Sequence, residues 1–227
     1  MVIELRRLPL LTVVLTVLTT AVSVTGLVVP VVTAALERTP AALHGEVWRW
    51  VTSLLVQDGG VAGTVSNLVF LAVLGTAAEQ VVDRRWMALS YLLAGLAGQL
   101  AGVLWQPVGA GNSVAVCGLA GVVAWSVARE AAPVWATSAV ALWLGAMLAT
   151  WWLPLFLVGV AGMVADRAAG GVRTRPGPVR VAVVVATGMV AILLAAVENI
   201  HGVALAVGLG LGALPGRVDK RAPSATE

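Results

Sequence analysis

Long stretches without any charged residue constrain this chain more than any other feature of its sequence. No charged side chain occurs between Trp86 and Ala128, or between Ala131 and Ala165. Apolar segments of roughly 17–25 residues can cross a bilayer as helices, because a helix pairs its backbone polar groups internally. The chain is 59% hydrophobic and its mean hydropathy is +0.96. The sequence therefore predicts an all-α, polytopic membrane helix bundle.

The apolar stretches divide into about eight predicted transmembrane helices. The apolar segment 134–165 is longer than one transmembrane helix requires. The run Trp151-Trp152-Leu153-Pro154 interrupts it with interfacial tryptophans and a proline. We therefore expect two short spans there, joined by a tight turn. The predicted spans are 8–29, 61–82, 86–105, 112–129, two within 134–165, 181–197 and 200–214.

The remaining segments complete the predicted layout. Arg6 and Arg7 precede the first apolar run, as basic residues do in signal peptides, but this run exceeds the roughly 7–15 apolar residues of a signal core. We therefore expect an uncleaved first span. Residues 30–60 mix tryptophans with charges and should lie on or slightly within the outer leaflet, and 166–180 should form a loop. Residues 1–215 are predicted to form a single transmembrane domain, and 216–227 a disordered cytoplasmic tail.

The basic residues predict the orientation of the chain. With the N-terminus in the cytoplasm, only Arg38 and Arg49 of the 14 Lys and Arg residues fall on the outer side. This asymmetry follows the positive-inside rule and predicts an even number of spans, with both termini cytoplasmic. Membrane topology thus explains the high isoelectric point. Nucleic acid is therefore not an expected partner.

Several other function classes find little support. The single cysteine, Cys117, excludes an intrachain disulfide and a cysteine-based metal cluster, so no metal site is expected. The glycine-rich stretches follow no predicted strand, which argues against a nucleotide-binding loop. Asp58 and Glu198 lie near the predicted interfaces without a series of intramembrane acids, so a proton-coupled transporter is poorly supported.

Ser113 is the first candidate for chemistry. It follows a run of turn residues and begins the fourth predicted span, where Ser113, Cys117 and Gly121 lie at i, i+4 and i+8 on one narrow helix face. A serine in an apolar helix usually donates its hydrogen bond to the carbonyl one turn earlier and does no chemistry. A catalytic role therefore requires a partner.

His201 is the predicted partner of Ser113. It begins the eighth span, and Ala204, Gly208 and Gly212 form a small-residue face behind it. Three spans lie between the two helices, so both enter from the same side of the membrane and can meet at one depth. A serine hydroxyl next to a neutral imidazole is a minimal activated nucleophile.

At these residues the sequence resembles the rhomboid intramembrane serine proteases. That family places its nucleophile in Gly-x-Ser-Gly at the start of the fourth span, followed by further glycines. The matching segments here are Gly111-Asn112-Ser113-Val114 and Gly118-Leu119-Ala120-Gly121. The family's base is a histidine that begins the last span before small residues, as His201 and Gly208 do here. The resemblance implies a Ser113–His201 dyad.

Two further motifs of the family match. Its first outer loop contains Trp-Arg, found here as Trp48-Arg49, although we expect Arg49 to anchor the loop rather than contact substrate. Its second span contains His-x-x-x-Asn, whose polar side chains help to bind the oxyanion, and Asn67 matches the asparagine. Oxyanion contacts from Asn67 and the backbone N–H of Ser113 are thus implied. A polar clamp between helices is an equally good reading of Asn67. The similarity covers roughly residues 46–127 and 198–214.

Three features depart from the family pattern. Gly63 occupies the oxyanion histidine position and offers no side-chain donor; loss of one such donor typically lowers turnover by about 10²–10³-fold. Val114 replaces the second glycine of the serine motif and adds bulk beside the nucleophile. The segment 134–165 lengthens the interval between serine and histidine. His44 in the outer loop is a conceivable replacement donor, but an interfacial residue without a chemical role is the preferred reading.

The resemblance implies a protease of the bacterial plasma membrane that cleaves transmembrane protein substrates near the outer membrane face, without a cofactor. The alternative is a weak or inactive rhomboid-like pseudoprotease that binds transmembrane helices in the lipid bilayer. Ser113 and His201 favour the first reading, and Gly63 and Val114 favour the second.

Overall fold

The computed structural model describes residues 8–149 and 177–214, and over these residues the chain is helical without a named strand. Three predicted features lie outside the described residues: the turn at 151–154, the second half of the hairpin and the tail at 216–227. The helices are α1 Leu10–Val28, α2 Pro30–Leu36, α3 Arg49–Thr52, α4 Gly60–Val81, α5 Arg84–Trp105, α6 Ser113–Ala128, α7 Val134–Ala149, α8 Gly177–Ala196 and α9 Ile200–Ala213, with a 3₁₀ helix at Pro40–His44.

The apolar helices confirm the predicted membrane bundle. Helices α1, α4 and α5 are long and apolar enough to cross a membrane, and shorter apolar helices lie within α6, α7, α8 and α9. One boundary prediction was wrong: residues 177–180 belong to α8 and not to the preceding loop. Pro178 is the second residue of this helix, where its fixed φ suits the first turn and its missing N–H would have no intrahelical acceptor.

Helix α6 is the centre of the bundle. Thirteen of its 16 residues are buried, and it contacts α4, α5, α7, α8 and α9. Because its sequence is apolar all round, each face can pack against a neighbouring helix. Its length is only about 24 Å, whereas the hydrocarbon core of a bilayer is about 30 Å thick. Such a short helix, shielded from lipid by its neighbours, can begin inside the hydrocarbon layer.

Helices α6 and α9 are in contact, as their small residues predict. A Cβ atom on Gly121 would lie 2.5 Å from the backbone nitrogen of Leu209, and one on Gly208 would lie 2.6 Å from the Cα of Gly118. The predicted face was wrong in one position. Cys117 Sγ accepts a hydrogen bond of 3.3 Å from Trp143 Nε1 on α7. The contact with α9 therefore follows Gly118 and Gly121, spaced i and i+3, rather than Cys117 and Gly121.

The segment between α1 and α4 is partly buried in the bundle. Its longest helix, α2, has seven residues and spans about 10 Å, too little to cross a membrane. After α3, however, Leu54 and Val56 are almost completely buried, and a Cβ atom on Gly95 of α5 would lie 2.7 Å from the Leu54 side chain. Ser23 of α1 also donates a hydrogen bond to the Leu55 carbonyl. The segment thus does more than rest on the membrane surface, because its end packs between helices.

The first turn of α1 is capped by a distant side chain. Glu79 near the end of α4 accepts hydrogen bonds from the backbone N–H of Leu11 at 3.3 Å and of Thr12 at 2.7 Å, and from the Thr12 hydroxyl at 2.7 Å. Arg84 forms an ion pair of 3.2 Å with the same carboxylate. The first N–H groups of a helix have no intrahelical acceptor and attract negative charge. Glu79 therefore fastens α1 to α4.

Candidate active site

The loop before Ser113 is fixed by contacts with residues 29–59, between α1 and α4, which we call the outer segment after its predicted side of the membrane. The backbone N–H of Gly111 donates to the Ser53 carbonyl at 2.8 Å, and that of Ala110 donates to Asp58 Oδ2 at 2.8 Å. Gly111 has a φ of +141°, which side-chain-bearing residues rarely adopt. Helix α6 then begins at Ser113. A tight, hydrogen-bonded turn thus presents the serine at the first position of the central helix.

A buried arginine fixes the same loop from the other side. Arg38 is 1% exposed and pairs its backbone with Gly109 in an isolated antiparallel bridge. Its guanidinium donates to Gln99 Oε1 and to the Gln106 carbonyl. Burial lowers the pKa of Arg38, and the nearby Asp58 carboxylate opposes that shift. From the sequence, Arg38 was predicted only to carry a charge on the outer side.

His201 is oriented by the residue that caps its helix. Asn199 has the extended backbone of an N-cap, and its Oδ1 accepts from the His201 backbone N–H at 3.0 Å. The same oxygen lies 2.7 Å from His201 Nδ1. Because the backbone N–H requires an acceptor, the amide oxygen must face this way, and Nδ1 must be the protonated ring nitrogen. Nε2 is then left with a lone pair.

That lone pair faces Ser113. The distance between His201 Nε2 and Ser113 Oγ is 2.9 Å, and both side chains are only partly buried. In the tautomer set by Asn199, the hydroxyl donates and the imidazole accepts, which is the arrangement of an activated serine. Sequence reasoning treated Asn199 as a polar break between spans. Its position two residues before the histidine, where an N-cap side chain reaches the backbone, was the available signal.

Asn67 faces the same region as the serine. A Cβ atom placed on Gly111 would lie 3.3 Å from Ser113 Oγ, 3.3 Å from Gln57 Oε1 and 3.8 Å from Asn67 Nδ2. Gly111 therefore leaves open a small volume that these three side chains border. Asn67 Nδ2 also donates a hydrogen bond of 2.7 Å to Gln57 Oε1. Gln57 received no role in the sequence analysis, since nothing in the sequence signals that its loop enters the bundle.

The two substitutions at motif positions have different consequences. A Cβ atom on Gly63 would meet nothing within 4 Å among the described residues, so this position, one turn before Asn67, has no side-chain donor and faces open space there. A Cβ atom on Gly98 of α5, by contrast, would overlap Val114 Cγ1. The bulk of Val114 therefore packs against α5, where Gly98 makes room for it, and does not separate Ser113 from His201.

The Trp48-Arg49 motif and His44 lie in the outer segment. Arg49 forms an ion pair with Glu46 and donates to the carbonyls of Ala34 and Glu37, both at 2.8 Å. These bonds connect α3 to the end of α2, and the Trp48 side chain is half exposed. His44 is exposed, and no hydrogen bond joins it to Ser113 within the described ranges.

A protein-family model described as "Rhomboid domain" matches residues 44–219. This range includes Asn67, Ser113 and His201. No curated protein matches the chain.

Within the described part of the chain, no group of three or more His, Cys, Asp or Glu side chains is placed to hold a metal ion.

Proposed function

Because this chain belongs to the rhomboid family of integral membrane proteins, we propose that it is an intramembrane serine protease with a Ser113–His201 dyad. The family acts on transmembrane substrates within the bilayer. One observation supports the proposal above all others, the 2.9 Å approach of Ser113 Oγ to His201 Nε2 with Asn199 on the opposite ring nitrogen.

The proposed reaction follows from this geometry. Ser113 Oγ attacks the carbonyl carbon of a substrate peptide bond while its proton moves to His201 Nε2. The carbonyl oxygen becomes an oxyanion, which Asn67 Nδ2 and the backbone N–H of Ser113 stabilise; this N–H is at the first turn of α6, where helix N–H groups have no intrahelical acceptor. His201 then returns the proton to the leaving amine, and water hydrolyses the acyl-enzyme by the same steps.

The proposed substrates are transmembrane helices cleaved near the outer face of a bacterial plasma membrane. Ser113 begins a helix that is shorter than the hydrocarbon core, and the partial exposure of Ser113 and His201 gives a peptide bond and water a route to the dyad. The arginine distribution supports an outward position for this end of α6 and cytoplasmic termini.

One observation favours a second candidate function. Gly63 leaves the oxyanion region without the side-chain donor expected one turn before Asn67. A pseudoprotease that binds unstable transmembrane helices without cleaving them is consistent with that loss, because helix binding requires the bundle and not the oxyanion contacts. The dyad geometry favours the protease.

Labelling by a serine-reactive fluorophosphonate distinguishes the two functions. The purified protein in detergent should be labelled, and Ser113→Ala and His201→Ala should not. Ser126→Ala is the matched control, because Ser126 lies on the same helix and donates to the Val122 carbonyl one turn earlier. It should be labelled like the native protein. If the native protein is not labelled, or if Ser113→Ala is labelled equally, the helix-binding function replaces the protease.

A further inference from the structure

Three side-chain amides form a hydrogen-bonded network, the amide network, next to Ser113. Asn67 Nδ2 donates to Gln57 Oε1 at 2.7 Å, and Gln57 Nε2 donates to Asn112 Oδ1 at 2.9 Å. The three residues come from α4, from the buried end of the outer segment and from the turn before α6. Gln57 is 4% exposed and Asn112 is fully buried. Gln57 is the only one of the three that contacts both of the others.

From this amide network we infer that Gln57 is a positioning residue for the oxyanion contact. An asparagine amide presents either N–H groups or an oxygen to its surroundings, and only the N–H groups stabilise an oxyanion. Gln57 Oε1 accepts one of the two N–H groups of Asn67, which keeps Nδ2 on the side of Gly111 and Ser113. The second N–H of Asn67 then remains for the oxyanion. This inference rests on the proposed protease function.

In the structure the amide network has one polarity, since Gln57 Oε1 accepts from Asn67 and Gln57 Nε2 donates to Asn112 Oδ1. If Gln57 were reversed, its Nε2 would face Asn67, which would have to present its oxygen instead. Asn112 Nδ2 is buried and has no hydrogen-bond partner among the described residues. A buried donor without an acceptor lowers stability, so the stated polarity is retained at some cost to the fold.

The position of Gly63 explains why a positioning residue matters here. With no side-chain donor one turn before Asn67, the side-chain stabilisation of the oxyanion depends on Asn67 among the residues that the structure describes. A single donor with two possible amide orientations is effective only while one orientation is held. Gln57 supplies that constraint from a buried loop that Asp58 and Ser53 attach to the serine turn.

The test is the rate of fluorophosphonate labelling, resolved into the binding constant of the probe and the rate constant of the covalent step. Gln57→Met keeps the length of the side chain but removes both amide hydrogen bonds. We expect the covalent step to slow by about tenfold or more, a part of the 10²–10³-fold effect of one oxyanion donor, with probe binding unchanged. Gln80→Met, at an exposed position near the end of α4, should label at the native rate.

A double substitution separates positioning from a purely structural role. If Gln57 acts through Asn67, then Gln57→Met should cause no further loss in Asn67→Ala, and the two effects should not multiply. If Gln57→Met fails to fold, Gln57→Asn takes its place, since it keeps an amide that is too short to reach both neighbours. Melting temperatures identify such a failure.

Each result decides a different claim. Native labelling of Gln57→Met, or multiplicative losses in the double variant, would overturn the inference while leaving the protease function in place. Absence of Ser113-dependent labelling in the native protein would overturn the protease function, and the inference with it.

Discussion

Asn199 Oδ1 accepts from both the backbone N–H and the ring Nδ1 of His201, at 3.0 and 2.7 Å. One side chain thus begins α9 and selects the histidine tautomer. The opposite ring nitrogen lies 2.9 Å from Ser113 Oγ, so the cap of one helix and the first residue of another determine the geometry of the dyad. Helix capping and the orientation of the proposed general base therefore depend on the same atom.

Replacing Asn199 by alanine should lower both stability and labelling. Loss of the N-cap should cost about 1 kcal/mol of unfolding free energy. Without an acceptor at Nδ1, the imidazole is free to change tautomer and rotate, so the labelling rate should fall by about tenfold or more, a part of the 10²–10⁴-fold contribution of a general base. Melting temperature and fluorophosphonate labelling measure the two effects.

Asn199→Asp is the matched variant. Aspartate is as good an N-cap as asparagine and can accept from the same two N–H groups. We expect near-native melting and at least partial retention of labelling. Equal labelling of Asn199→Ala and the native protein would show that the hydrogen bond at Nδ1 does not orient the base.

The bundle and the proximity of Ser113 to His201 could be predicted from the sequence because both depend on strong local signals. Uncharged segments define the apolar helices, and the motif around Ser113 with a histidine at the start of the last span indicates the pair. Gln57 and Arg38 were missed for a physical reason. Whether an irregular loop is buried depends on tertiary packing, as between Leu54 and Gly95, and no periodic pattern in the loop reports it.

The same reason explains the error at Cys117. Helical spacing places Cys117 and Gly121 near one face of α6, but every face of this helix is apolar. Hydropathy therefore cannot tell which neighbour each face meets. The indole N–H of Trp143 requires an acceptor when it is fully buried, and Cys117 Sγ provides one.

The predicted orientation can be tested with single cysteines. Cys117 is fully buried and should not react, so the native protein supplies a low background. Leu43→Cys lies at an exposed position in the outer segment and should react with a membrane-impermeant maleimide added outside intact cells. Ala169→Cys, in the sequence-predicted cytoplasmic loop, should react only after the membrane is opened. Outside labelling at position 169 would contradict the layout.

Glu79→Gln should weaken the attachment of α1 to the bundle. The Leu11 and Thr12 N–H groups donate to different oxygens of Glu79. Glutamine keeps one of these acceptors, but its NH₂ group cannot replace the other, and the ion pair with Arg84 is lost. Hydrogen bonds to charged groups contribute about 1.5–3 kcal/mol each, so we expect a loss of about 1–3 kcal/mol in unfolding free energy after partial compensation. Thermal unfolding in detergent measures it.

Gln80→Ala, at the next position of α4, is the control for this change. Gln80 is exposed, and alanine is a better helix former, so stability should stay within about 0.5 kcal/mol of the native value. Equal melting temperatures for Glu79→Gln and Gln80→Ala would show that the Glu79 cap does not stabilise α1.

Gly208→Ala should destabilise the contact between α6 and α9. The new Cβ atom would lie 2.6 Å from the Cα of Gly118, which no rotamer change can relieve because the backbone fixes the position of a Cβ and its neighbour is a backbone atom. Overpacking of this kind typically costs about 1–3 kcal/mol, and leucine at Gly208 or Gly121 should cost at least as much. Since α9 begins with Asn199 and His201, a displaced helix should also reduce Ser113-dependent labelling.

Gly210→Ala separates overpacking from the general effect of alanine in α9. Gly210 lies two residues further along the same helix, where a Cβ atom would meet nothing within 4 Å in the described part of the chain. Alanine there should leave the melting temperature unchanged or raise it slightly, because it restricts the unfolded chain more than glycine does. The two variants differ only in which side of α9 receives the methyl group. Equal melting temperatures for Gly208→Ala and Gly210→Ala would therefore contradict close backbone packing of α6 against α9.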